Sequence, residues 1–189
     1  MKNIKSKHSI KLLALLFVSS LAFVGCSSDD DDHDDHDHEE ELITTVRYTL
    51  TNGTDVVTLE FQDLDGEGGA DGTYDVSGPL TANTTYVGEI QLLNETENPA
   101  ENITLEVENE GDEHEFFYTP SISDITISKD DLDVDGNPVG IETTLVTGDA
   151  GTGSLTIELI HEPTKPNDGT SASAGGSTDV EVTFSIEVQ

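Results

Sequence analysis

The sequence is poor in basic, sulfur-containing and aromatic residues. Lys and Arg together number seven among 189 residues, against 40 Asp and Glu, which gives a formal net charge of −33. A protein this acidic is repelled by nucleic-acid phosphates, so we expect no nucleic-acid partner. The single Cys excludes an internal disulfide and a Cys-rich zinc site. The lack of Trp argues against a glycan-binding surface built on aromatic side chains.

The chain also has no recognisable catalytic motif. It lacks a Gly-rich phosphate-binding loop after a strand, and its many acids offer no pair with clearly distinct environments. We therefore expect a non-enzymatic protein.

The amino-terminal residues have the pattern of a secretory signal peptide. Residues 1–25 contain four lysines and no acid, and the lysines precede apolar runs at 12–18 and 21–24. Residues 23–26, Phe-Val-Gly-Cys, resemble the lipobox of bacterial lipoproteins, which implies that Cys26 is acylated and anchors the chain to a membrane. The alternative is an ordinary cleaved signal with an incidental Cys. After cleavage the chain would keep three basic residues against 40 acids, a net charge of −37.

A tract of acids and histidines follows this cysteine. Residues 27–32, Ser-Ser-Asp-Asp-Asp-Asp, resemble the export signal that directs Bacteroidota lipoproteins to the outer face of the outer membrane. The tract itself, Asp29–Glu41, consists of ten carboxylates and three His. Such a run repels itself and has no apolar face, so we predict a disordered stalk over residues 26–41.

The imidazoles within this tract favour metal binding. Neutral His is a good ligand for Zn²⁺ and similar ions, and interleaved carboxylates complete the coordination shell while neutralising the cation. The predicted ligands are His33, His36, His38, Asp34, Asp35 and Asp37. The alternative is that the tract is only a spacer between the membrane and the domain, a role that needs no imidazole.

From residue 42 onwards, short runs rich in Thr, Val and Ile alternate with Gly, Asn, Asp and Pro. This texture predicts an all-β domain over residues 42–189, an immunoglobulin-like antiparallel β-sandwich of about eight strands. At most one short helix is expected, at about 99–109, where Asn98 and Pro99 resemble a helix start. The predicted strands are 43–50, 56–62, 84–93, 114–119, 123–128, 140–147, 153–161 and 179–188.

One segment of the domain matches the calcium loop of EF-hands, D-x-D-x-D-G-x5-E. Its candidate ligands are Asp131, Asp133, Asp135, the carbonyl of Asn137 and bidentate Glu142. Pro138 departs from the pattern, and the flanking residues are predicted to form strands rather than the helices of an EF-hand. The open alternative is a polar turn in which Gly136 supplies a positive φ.

Two further histidines lie in the domain. His114 precedes an aromatic run, and His161 ends a predicted strand. Either is a candidate metal ligand if the fold brings the two together. An exposed His at a strand end is the commoner outcome, and it is the one we expect.

Over nearly its full length the sequence resembles an uncharacterised family of Bacteroidota surface lipoproteins. The resemblance is carried by the Cys-Ser-Ser-Asp start, the Asp/His/Glu tract, the Thr-rich β domain and residues 161–169, His-Glu-Pro-Thr-Lys-Pro-Asn-Asp-Gly. Members are often labelled type 1 periplasmic-binding-fold proteins, but that fold has two α/β lobes, which this strand-rich sequence does not support. The family implies no established activity.

Together these features predict a lipid-anchored, surface-exposed outer-membrane protein that gathers divalent metal. Zinc-like ions are expected at the tract and calcium at the Asp-rich loop, with a neighbouring outer-membrane transporter as the candidate partner. One alternative is a structural or adhesive surface domain in which the tract is only a spacer. Another is a glycan-binding module.

Overall fold

The computed structural model describes residues 42–66, 69 and 71–189. Two predicted segments lie outside the described residues: the signal peptide, 1–25, and the stalk, 26–41, which carries Cys26 and all six tract ligands. Within the described part of the chain, no helix has the length and apolar character needed to cross a lipid bilayer.

The described domain contains ten strands and two short helices, and the predicted antiparallel β-sandwich is confirmed. The strands are β1 (Thr45–Asn52), β2 (Asp55–Gln62), β3 (Thr73–Val76), β4 (Thr85–Asn94), β5 (Glu101–Asn102), β6 (His114–Pro120), β7 (Thr126–Lys129), β8 (Glu142–Val146), β9 (Gly151–His161) and β10 (Ser177–Val188). The helices are α1 (Thr104–Asn109) and α2 (Ser171–Ala174). All eight predicted strands are present, and β3, β5 and α2 are additional to the prediction.

The strands form two antiparallel sheets. The larger sheet has the order β3-β2-β1-β4-β8-β7, with β5 paired to the end of β4. The smaller sheet has the order β10-β9-β6, so β9 is its central strand. Because these strands are antiparallel, the start of β6, the end of β9 and the start of β10 lie side by side at one end of the smaller sheet.

The core lies between the inner faces of the two sheets. Along β9, Leu155, Ile157 and Leu159 are buried and alternate with less buried residues, as the apolar pattern predicts. From the larger sheet, Tyr48 is fully buried, and its hydroxyl lies 2.6 Å from the hydroxyl of Thr143. Burial raises the pKa of Tyr48 well above its usual range, so the phenol stays neutral inside the core.

The helix predicted at 99–109 begins later than expected. Strand β5 pairs with β4, so the chain is still part of the sheet where the sequence predicts the first helical turn. Helix α1 starts at Thr104, whose hydroxyl accepts a hydrogen bond from the backbone N–H of Leu92 at 2.8 Å. Ile103 and Val107, four residues apart, are both buried in the main core and therefore share one face of the helix.

Helix α2 covers the outer face of the smaller sheet. Its Ala174 is fully buried with Phe117 and Ile160 in a small apolar cluster separate from the main core. The backbone carbonyl of Ala174 also accepts a hydrogen bond from the N–H of Thr164 at 2.7 Å. The segment between β9 and β10 is therefore held against the sheet, next to the end where the two domain histidines lie.

Candidate metal centre

His114 and His161 face each other at one end of the smaller sheet. His114 is the first residue of β6, His161 is the last residue of β9, and the antiparallel register pairs them directly. Their rings stack with centroids 4.8 Å apart and an interplanar angle of 14°. Because side chains alternate along a strand, both imidazoles lie on the same side of the sheet as Phe116 and Leu159, which belong to the main core.

A β-bulge adds a carboxylate to the two imidazoles. The register between β9 and β10 shifts between Thr178 and Val180, so Asp179 is the extra residue of the bulge. A bulge of this kind can place a side chain on the opposite face of the sheet from the one that regular alternation would give it. Asp179 Oδ2 lies 3.7 Å from His114 Nε2, and Asp179 Oδ1 lies 3.9 Å from His161 Nδ1. One carboxylate therefore faces both rings.

The backbone near His114 determines which of its ring nitrogens carries a proton. His114 is fully buried, and its Nδ1 lies 3.1 Å from the carbonyl oxygen of Glu110. A carbonyl oxygen can only accept a hydrogen bond, so Nδ1–H donates to it, and Nε2 is the ring nitrogen that faces Asp179. Metal-binding histidines are commonly held in this way, with one nitrogen on a carbonyl and the other on the ion.

Ligand atoms from these three residues converge closely enough for one divalent ion. One atom from each of His114, His161 and Asp179 lies within 4.8 Å of the others. A tetrahedral ion with ligand distances of about 2.0–2.2 Å holds its ligands roughly 3.3–3.5 Å apart. Small side-chain rotations that move the ligand atoms by about an ångström would bring them from within 4.8 Å of one another to this spacing. The side chain of His161, 17 % exposed, has the room to make them.

Glu113 faces the other ring nitrogen of His161. Its Oε2 lies 4.0 Å from His161 Nε2, whereas Asp179 faces Nδ1, so Glu113 is placed to orient the ring rather than to coordinate an ion at Nδ1. Two imidazole nitrogens with one carboxylate oxygen form a ligand set that suits Zn²⁺ and related transition metals. Calcium instead takes six to eight oxygens, so the donor set favours a transition metal.

Lys165 fixes the backbone beside this site. Its ammonium donates to the carbonyl oxygens of Gly111 and His114, each at 2.6 Å, and to Asp133 Oδ2 at 3.2 Å. Burial alone would raise the pKa of Asp133, but the backbone N–H of Asn137 and the charge of Lys165 lower it overall. One buried ion pair therefore joins the Asp-rich turn to the backbone of the histidine site.

The predicted calcium ligands form a hydrogen-bonded turn. The carboxylate of Asp131 accepts hydrogen bonds from the three backbone N–H groups of residues 140–142, at 2.8, 3.0 and 3.3 Å. Asp133 Oδ1 accepts from the N–H groups of Asp135 and Asn137, at 2.9 and 2.8 Å. The carbonyl of Asn137, itself a predicted ligand, accepts from the N–H of Asp133 at 2.8 Å.

These contacts give two of the loop carboxylates, Asp131 and Asp133, a structural role. Gly136 has a φ of +83°, as the polar-turn alternative predicts, and the flanks are the strands β7 and β8 rather than helices. Asp135 and Glu142 are exposed. Calcium binding by this loop stays a prediction, and it would require Asp133 to exchange the ammonium of Lys165 for the ion.

The structure corrects the expectation that the two domain histidines are exposed strand ends. His114 is fully buried and His161 is mostly so, and the fold brings them together. The sequence does not single out Asp179, because strict alternation along β10 places it on the outer face and only the bulge turns it inward.

Comparisons with protein-family models, with curated proteins and with solved structures found no match. The resemblance to Bacteroidota surface lipoproteins therefore stays a prediction from the sequence motifs. The candidate site rests on the geometry of its own residues.

Proposed function

We propose that this protein is a lipid-anchored surface protein that binds a divalent transition metal through His114, His161 and Asp179. The observation that carries the proposal is the convergence of one ligand atom from each residue within 4.8 Å. The three residues come from β6, β9 and β10, so one ion would bridge every strand of the smaller sheet.

Binding rather than catalysis is the proposed role of the site. Catalytic zinc sites keep a coordination position open to substrate, whereas binding and structural sites are closed by protein ligands. His114 is fully buried and Asp179 is only 8 % exposed, so the protein encloses most of the coordination space.

A proton is the competing occupant of this site. An imidazolium at His114 or His161 would pair with Asp179 at the distances observed. A metal ion must displace that proton, so metal binding should weaken as the pH falls and the imidazoles become protonated. A zinc titration repeated at lower pH should therefore give a lower affinity.

The remaining parts of the proposal come from the sequence. Acylated Cys26 would hold the domain at the outer membrane, and the tract over residues 29–41 would collect ions of the same class close to the domain. A neighbouring outer-membrane transporter is the proposed recipient of these ions.

Isothermal titration with Zn²⁺ tests the site. The full chain with Cys26→Ser, which cannot be acylated at that position, is compared with the same chain lacking residues 29–41. In the tract-deleted chain we expect one zinc ion per molecule. Asp179→Asn keeps the side-chain shape but removes the charged ligand, and it should weaken this binding at least tenfold. The matched control is Asp149→Asn, at an exposed turn position, which should leave the affinity unchanged.

Two results would contradict the proposal. Equal zinc affinity in the Asp179→Asn and Asp149→Asn chains would exclude the carboxylate as a ligand. Loss of all zinc binding on deletion of residues 29–41 would assign the binding to the tract alone. Thermal melting of each variant without metal verifies that the domain remains folded.

A further inference from the structure

A lysine, a glutamate and an asparagine meet on the other face of β6. Lys129, the last residue of β7, donates from Nζ to Glu115 Oε1 at 2.5 Å. Asn167, in the segment after β9, donates from Nδ2 to Glu115 Oε2 at 2.7 Å. The two oxygens of one carboxylate therefore bind an amine and a carboxamide.

The ion pair of this cluster is largely shielded from water. The side chain of Lys129 is 15 % exposed and that of Glu115 is 4 % exposed. The Lys129 ammonium lies 4.1 Å from the centroid of the Phe117 ring. Asn167 lies at an open pocket of about 260 Å³, whose other walls include the exposed Pro138 and Pro166. Removing water from an ammonium favours the neutral amine, which is the nucleophilic form of lysine.

We propose that this cluster is a modification site, at which Lys129 and Asn167 form an intramolecular isopeptide bond with Glu115 as the proton relay. The carboxamide of Asn167 is held in a fixed orientation, since its Nδ2 also donates to the carbonyl of Thr164 at 3.1 Å. Its Oδ1 accepts the backbone N–H of Gly169 at 2.9 Å. A donor at this oxygen stabilises the negative charge that develops there during attack on the carbon.

The proposed reaction needs no reagent beyond these side chains. Glu115 takes a proton from the Lys129 ammonium, and the nitrogen lone pair then attacks Cγ of Asn167 to form the new C–N bond. The carbonyl electron pair moves onto Oδ1 and returns as the bond from Cγ to Nδ2 breaks. Glu115 passes the two protons lost by the lysine nitrogen to Nδ2, which leaves as ammonium. The carboxylate is regenerated, and the chain becomes lighter by about 17 Da, the mass of one ammonia.

The second buried lysine of the domain does not compete for this role. The ammonium of Lys165 is held by two carbonyl oxygens and by Asp133, on the side of the histidine site. The bond would join β7 of the larger sheet to the segment that follows β9 of the smaller sheet. It would therefore link the two layers of the sandwich covalently, independently of any metal ion.

Intact-mass measurement of the purified full chain carrying Cys26→Ser tests the proposal. The chain should be about 17 Da lighter than its sequence mass. Trypsin cleaves neither at a modified lysine nor at the Lys165–Pro166 bond, so residues 48–189 should be released as one peptide, about 17 Da lighter than its sequence mass, instead of as the two peptides 48–129 and 130–189. Lys129→Arg keeps the positive charge, and both it and Asn167→Ala should restore the full mass. In Asn167→Asp the reaction would expel water instead of ammonia, so that variant should lose about 18 Da.

Two outcomes would overturn the proposal. One is a folded protein that keeps its full sequence mass, which would leave the cluster as an ordinary ion pair. The other is a mass loss confined to the peptide 130–189, with cleavage at Lys129 intact, which would indicate cyclisation of the asparagine onto its own backbone. Glu115→Gln should slow or abolish the mass loss, and thermal melting of that variant distinguishes loss of the relay from loss of the fold.

Discussion

Replacing Lys165 by Met would remove a buried cation while keeping a side chain of similar length. The Lys165 side chain is 5 % exposed, and the Asp133 carboxylate that it contacts is fully buried. The substitution would leave that carboxylate without its counter-ion. It would also take the ammonium donor away from the carbonyl oxygens of Gly111 and His114.

The expected loss in the free energy of unfolding is large. Removing one partner of a buried ion pair costs about 3–5 kcal/mol, because the remaining charge is uncompensated. Asp133 keeps the N–H groups of Asp135 and Asn137, which limits the loss to that range. Single domains are stable by about 5–15 kcal/mol, so Lys165→Met should remove a substantial share of the stability.

Urea unfolding at neutral pH measures this difference, and Arg47→Met is the matched control. Arg47 pairs with Glu60 at 2.6 Å, but its side chain is 35 % exposed, so its loss should cost no more than about 1 kcal/mol. A loss at Lys165 as small as that at Arg47 would refute the assignment of a strong buried pair.

The pH dependence of this difference provides a second test. The pKa of Asp133 is lowered in the folded protein from an ordinary value of 3.8. The stabilisation is therefore fully present above that value and is lost as the pH falls through the folded pKa. In Lys165→Met the buried carboxylate loses the charge that lowers its pKa, so its folded pKa is higher than in the wild type. The difference in stability between the two proteins should therefore shrink as the pH falls through that higher pKa. A difference that stays constant down to acid pH would implicate another group.

The remaining predictions concern the turns on either side of the site. Gly176 has a φ of +74°, and an added Cβ would lie 2.2 Å from the carbonyl oxygen of His161, so Gly176→Ala should lower both the melting temperature and the zinc affinity. Unchanged zinc binding in a destabilised Gly176→Ala protein would show that the site tolerates this strain. Asp131→Ala should cost about 1–3 kcal/mol in urea unfolding, because three backbone N–H groups lose their acceptor. Asp133→Ala should abolish any calcium-dependent rise in melting temperature, and a rise that persists would place calcium elsewhere.

Most of the sandwich is predictable from the sequence because burial on one face imposes a period of two. Leu155, Ile157 and Leu159 alternate with less buried residues along β9, and this local pattern alone identifies the strand. The short strands β3 and β5 have four and two residues, too few for a period to be visible. They form because a neighbouring strand pairs with them, β2 with β3 and β4 with β5. That pairing depends on the tertiary fold and is not visible in the local sequence.

The start of α1 shows the same limit. Asn98 and Pro99 are favourable at a helix start, yet the residues just after them pair with β4 instead. A favourable cap contributes about 1 kcal/mol, which sheet pairing and side-chain burial can outweigh. Local propensity therefore predicts that a helix forms near 99–109 but not where it begins.

The candidate metal site depends on register, which the sequence does not encode locally. His114 and His161 are 47 residues apart, and they meet only because β6 and β9 pair so that these two positions are opposite. A shift of one residue in that pairing would separate them. Asp179 joins them only through the bulge in β10, and one Asp among 40 acidic residues carries no signal of its own.

The few basic residues of the domain all form ion pairs with carboxylates. Residues 42–189 carry 30 acids and three basic side chains, a net charge of −27. Arg47 pairs with Glu60, Lys129 with Glu115 and Lys165 with Asp133, so each basic side chain already neutralises a particular carboxylate of the domain.

Most of the remaining carboxylates must therefore draw their compensating cations from solution. A surface potential of this sign raises the local concentration of divalent ions around the whole domain. It does not select one position, because exposed carboxylates are flexible and hydrated. Selection requires nitrogen ligands held in place, and the paired ends of β6 and β9 provide two of them beside the carboxylate of Asp179. The acidic surface thus attracts cations in general, and the histidine pair with Asp179 selects among them.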